Sequence, residues 1–123
     1  MNWYSLPEQL HTIPHTDRVV AVGMFDGVHI GHRAVLTRAL LRDGLSPAVF
    51  TFSYTQDKPK NGLSLQSADE RQRALEGMGF ADLFEADFAA MRSMTATEFV
   101  VFLKEALHAK AIVCGFNFRF GKD

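Results

Sequence analysis

His29 and His32 stand three residues apart in a turn spaced by Gly23, Gly27 and Gly31, directly after the apolar run Val19-Val20-Ala21-Val22. Imidazoles in that setting suit the holding of an anion. Glycines let the backbone turn sharply and approach a ligand, and a helix starting near Gly31 would offer unpaired N–H groups and the positive end of its dipole. A protonated imidazole donates from both nitrogens, and a neighbouring phosphate favours that form. The expected site is a phosphate cradle at a helix start. Two histidines at this spacing could also cap the helix or ligate a metal, but no third ligand stands at a recognisable distance, and no metal site is read. Asp26, in the same turn, is of the type that forms tight turns.

Alternating strands and helices would position such a turn. Strands are expected over Val19–Met24, Ala48–Phe52, Ala81–Glu85 and Ala111–Cys114. Helices are expected over Gly31–Leu41, with Val35, Leu36, Ala39 and Leu40 on one face, and from the Ser67-Ala68-Asp69-Glu70 capping pattern to Met78, ended by Gly77 and Gly79. Thr95-Ala96-Thr97-Glu98 opens another, carrying Phe99, Phe102, Leu103 and Leu107. Residues 53–66, with Asp57, Pro59, Asn61 and Gly62, read as a loop. The alternation implies an α/β fold: right-handed crossovers and a doubly wound parallel sheet with helices on both faces. In the order 3-2-1-4, the histidine turn lies beside Gly115-Phe116-Asn117-Phe118-Arg119-Phe120-Gly121, where ligands bind beyond the carboxyl ends of the strands.

Composition narrows the partners. With 13 Lys plus Arg against 14 Asp plus Glu and no basic run, nothing points to nucleic acid or an anionic membrane. No stretch approaches the ~20 apolar residues a bilayer needs, and residues 1–14 carry no leader pattern. Small-molecule partners are expected. The single cysteine, Cys114, excludes an internal disulfide, fits a reducing cytoplasm and is expected to be inert core. His11, His15 and His108 have no partner pattern and read as surface residues.

Gly23-Met24-Phe25-Asp26-Gly27-Val28-His29-Ile30-Gly31-His32 resembles the Gly-x-Phe-Asp-Gly-Val-His-x-Gly-His signature of bacterial FAD synthetases, the bifunctional riboflavin kinase/FMN adenylyltransferases, in their N-terminal domain. The 115–121 segment is similar to the family's second signature, Gly-x-Asp/Asn-Phe-x-Phe-Gly, and Thr51-Phe52 to its Thr-Phe pair. The resemblance implies a Rossmann-like nucleotidyltransferase domain over residues 1–123 that transfers AMP from ATP to FMN, with Mg²⁺ accompanying ATP. By similarity His29 and His32 would be catalytic and hold the triphosphate. Gly23, Phe25, Asp26 and Gly31 would complete the ATP turn, Asn117 would orient phosphate or flavin groups, and Phe120 would lie near the flavin. The Phe116, Phe118 and Phe120 alternation is also what a strand continuing into core would show.

Two departures accompany it. After Thr51-Phe52 the family reads Glu/Asp-Pro-His-Pro, whereas this chain has Ser53-Tyr54-Thr55-Gln56-Asp57. The chain also stops at Asp123, before a fifth strand, a Ser-Ser-Thr-x-x-Arg-like segment and the riboflavin kinase domain that the resemblance implies for a full-length protein. An incomplete domain is therefore expected. A nucleotidyltransferase for another phosphorylated acceptor and a non-catalytic nucleotide-binding fragment are the alternatives.

Overall fold

The computed structural model describes residues 1–23, 30–53, 68–91 and 93–114. Five strands form one parallel sheet: β1 (Asn2–Leu6), β2 (Arg18–Val22), β3 (Ser46–Ser53), β4 (Asp82–Asp87) and β5 (Ala109–Cys114). Their order is β1-β4-β3-β2-β5. The four expected strands thus lie in the expected order. The sheet departs from the four-stranded expectation by β1, which pairs with β4 from Asn2↔Asp82 to Leu6↔Ala86. Only Tyr4 and Leu6 of β1 join the core, so its sequence carries too short an alternation to stand out from a loop.

Helices α1 (Ile30–Leu40) and α2 (Ala68–Met78) cover one face, and α4 (Ala96–Ala106) the other; α3 (Phe88–Met91) follows β4 directly. Because successive strand residues point to opposite faces, β2 supplies both cores. Val19 and Ala21 pack with Leu36, Ala39, Val49, Leu75 and Leu83. Val20 and Val22 pack with Phe50, Phe84, Phe99, Leu103 and Leu107. Phe50 meets Phe99 edge-to-face, with centroids 5.4 Å apart.

The caps follow the sequence where they are described. Thr95 accepts from the Glu98 N–H at 3.1 Å, and the Glu98 carboxylate accepts from the Thr95 N–H at 2.8 Å. At the end of α2, Gly79 takes φ +109°, which a side chain would resist, and its N–H donates to the Glu76 carbonyl. The Ser67 cap lies outside the described residues.

Arg18 was not singled out by any pattern, yet it is 1% exposed at the start of β2. Its Nε donates to Asp82 Oδ2 across β3 at 3.0 Å; Nη1 donates to the carbonyls of Thr16 and Leu107, and Nη2 to that of Pro14. Its guanidinium also lies over the Phe84 ring, 5.3 Å from the centroid. Asn2 donates to the other Asp82 oxygen at 3.1 Å.

In β5 the ladder slips by one residue. Arg18 pairs with Ala109 but Val19 pairs with Ala111, so Lys110 is extra. Ala109 therefore joins the α4 core, whereas Ala111 and Val113 face α1.

Removing one member of a buried ion pair strands the other. Arg18→Met is expected to destabilise the fold by about 3–5 kcal/mol in urea unfolding, and Arg18→Met combined with Asp82→Leu to recover part of that loss.

Candidate functional site at the carboxyl edge of the sheet

Parallel pairing brings all strand ends to one edge. At its centre β2 ends between two neighbours, with Val22 opposite Phe50 on β3 and opposite Cys114 on β5. One residue further, the Gly23 N–H donates to the Phe50 carbonyl at 3.1 Å, holding Gly23 in line with the sheet where it is buried. The segments at 24–29 and 115–121 therefore leave from paired strands, one beginning after Gly23 and the other after Cys114. The sequence order 3-2-1-4 expected this neighbourhood.

Helix α1 begins at Ile30, so Gly31 and His32 are its second and third residues. These are positions whose backbone N–H groups have no partner within the helix and where the dipole is positive. His29 immediately precedes that first turn. Phe25, Asp26 and His29, like Asn117 and Phe120, lie outside the described residues, and the side chain of His32 is likewise not described.

The two faces of the sheet differ near this edge. Under α4 they stay apolar to the end, through Val22, Phe50, Phe52 and Ala86. Under α1 and α2 the row Ala21, Val49, Leu83 gives way to Gly23, Thr51 and Glu85, Thr51 pairing with Glu85. Thr51 is fully buried. The Thr51-Phe52 pair thus splits, Thr51 to the polar row and Phe52 to the α4 core. A threonine inside an apolar strand was the available sequence signal for that row.

Titration behaviour is displaced at the opposite edge. The Met1 ammonium, 2.6 Å from the Glu76 carboxylate, holds it below the usual value. Burial and then neighbouring cations push His108 down. Among the described residues no group of three or more His, Cys, Asp or Glu could hold a metal ion.

Cys114 departs from the expectation of an inert core residue. It is a free thiol, exposed at the end of β5. Its place opposite Val22 sends it to the α4 side of the sheet, beyond the cover of that helix.

The family model for FAD synthetase matches residues 12–123. The chain belongs to the FAD synthetase family. A bifunctional riboflavin kinase/FMN adenylyltransferase of Listeria monocytogenes is 30% identical over 115 residues, covering 86% of this chain and 37% of that protein. The chloroplastic FAD synthetase 2 of Arabidopsis thaliana is 31% identical over 118 residues, covering 88% and 31%. The chain spans about a third of the length of these curated relatives. A Streptococcus pneumoniae crystal structure titled as a macrolide-efflux protein matches at a TM-score of 0.83 and 31% identity, over 98% of this chain and 50% of that one. The efflux in that title concerns the pneumococcal protein; here no described helix is long and apolar enough to cross a membrane.

An exposed thiol on a folded strand should react without unfolding. Cys114 is expected to be labelled by a disulfide reagent in the native protein within about tenfold of the rate in denaturant, read by absorbance, and Cys114→Ser to abolish the signal.

Proposed function

We propose that this domain transfers AMP from ATP to the phosphate of FMN, giving FAD and pyrophosphate. The match to the FAD synthetase family over residues 12–123 carries the reading. It is supported by a helix start at Ile30 immediately beyond the central strand, with the second signature segment following the neighbouring strand.

In this reaction an FMN phosphate oxygen attacks the α-phosphorus of ATP in line with the departing bridge oxygen. The new phosphorus–oxygen bond forms as the bond to pyrophosphate breaks. No protein nucleophile takes part, so catalysis is positioning and charge stabilisation. His29 and His32, with the first N–H groups of α1, would hold the triphosphate and offset charge developing on pyrophosphate. Gly23, Phe25, Asp26 and Gly31 would shape the turn against the nucleotide. Asn117 would orient the acceptor phosphate through its amide, and Phe120 would present an aromatic surface to the flavin. Mg²⁺, when bound, would neutralise phosphate charge, taking most of its ligands from phosphates and water. An exposed free thiol and consumption of ATP fit a reducing cytoplasm. The riboflavin kinase that the relatives' names join to this activity would supply FMN, and none of the residues assigned above serves that step.

One observation favours a second reading. Ser53-Tyr54-Thr55-Gln56-Asp57 stands where the family pattern has a carboxylate, a histidine and two prolines, and a phosphorylated acceptor other than FMN would suit an altered loop.

Incubation with ATP, FMN and Mg²⁺, for this chain and for any longer reading frame continuing past codon 123, should yield FAD by chromatography and equimolar pyrophosphate. ATP bound without FMN consumed favours the other acceptor; neither bound overturns the reading. His32→Ala is expected to weaken ATP binding by about 1–3 kcal/mol in calorimetric titration, the scale of a charge-assisted hydrogen bond, with the circular dichroism unchanged. Asn117→Ala should lower the rate of FAD formation more than it lowers ATP affinity.

A further inference from the structure

At the amino edge of the sheet, away from the candidate site, the rings of His15 and His108 stack with centroids 3.8 Å apart and planes 12° from parallel. They belong to two segments that converge on one buried group. Arg18 donates to the carbonyls of Pro14 and Thr16, on either side of His15, and to that of Leu107, next to His108. The His108 carbonyl in turn accepts from the Arg18 backbone N–H at 3.1 Å. Among the described residues His108 is the non-glycine residue with positive φ, at 57°, a strained conformation that persists where its surroundings hold it. The stacked imidazoles close the outside of this knot.

We infer that His15 and His108 form a pH-sensitive clasp, closed while at least one ring is neutral and open when both carry a proton, that locks the segment before β2 to the turn before β5. Two neutral rings stack, and so do a neutral and a charged ring, whereas two imidazolium ions at this separation repel. The charged groups facing His108 add to that repulsion. His15, Arg18 and Lys110 disfavour its proton and Asp17 favours it, while burial, the largest influence, also disfavours it. Asp82 matches the Arg18 charge from the sheet side. A histidine whose proton affinity is lowered by folding leaves the folded chain with fewer protons than the unfolded one. Its contribution is therefore complete above the ordinary imidazole value of about 6.5 and is lost as pH falls below it.

The Arg18 amide, hydrogen-bonded to His108, reports the clasp by hydrogen exchange, and imidazole resonances report the titrations. Between pH 7.5 and 5.5 the Arg18 protection factor should fall by about tenfold. His108 should also titrate below the ordinary imidazole value, held down first by burial and then by its cationic neighbours. His15→Phe keeps a stacking ring without a proton site but leaves burial, Arg18 and Lys110 around His108, so the fall should be smaller and His108 should titrate higher than in the parent. His108→Asn, a side chain that tolerates the left-handed backbone, should remove the pH dependence. Titration of His108 at or above the ordinary imidazole value, an Arg18 protection factor constant with pH in the parent, or an equal fall in either variant overturns the clasp.

Discussion

A single buried guanidinium organises the amino edge of this sheet. Arg18 is out of water, so each of its donors needs an acceptor, and the fold brings those acceptors from three places: Asp82 on β4, Pro14 and Thr16 in the approach to β2, and Leu107 after α4. A lysine could not replace it, because one ammonium cannot reach so divergent a set from over the Phe84 ring. Asp82 is shared with Asn2 and so brings β1 into the same network. The interaction spans β3 and fixes the outer strands of the sheet against its centre.

The opposite edge carries backbone donors that have no partner inside their own helix. There β2 ends between β3 and β5, and α1 starts with N–H groups that no helical carbonyl can reach. The faces reinforce this asymmetry. The α4 face is aromatic and aliphatic to its rim, whereas the α1 face turns polar at Gly23, Thr51 and Glu85. The backbone donors at the start of α1 therefore lie on the less apolar side of this edge.

The elements legible in the sequence were those whose pattern repeats within one segment. The strands around Val20, Val49 and Ile112, the α1 face carrying Leu36 and Ala39, the Thr95 capping box and the Gly79 stop all depend on neighbours a few residues away. Features that depend on distant partners were not legible. Strand β1 exists because β4 offers it an edge, and Arg18 reads as an ordinary charged residue until Asp82, 64 positions later, lies beside it. The same holds for the His15 and His108 stack, whose members are separated by most of the chain. For the candidate site, the sequence located the helix start and the neighbouring strand. The side chains proposed for it at His29, Asn117 and Phe120 lie outside the described residues.

The extra residue at Lys110 decides which face of the sheet Cys114 takes. A strand is a wave of period two, and the insertion shifts its phase by half a cycle. Continued from buried Leu107 and Ala109, the pattern would keep Ala111 and Val113 in the α4 layer; the shift sends them instead to the α1 layer and turns Ile112 and Cys114 the other way. One strand thereby belongs to both layers in succession, like a stitch passing through cloth. Two helical layers that share no side chains across the sheet are sewn together by a six-residue thread, and its far end emerges where the second signature segment begins.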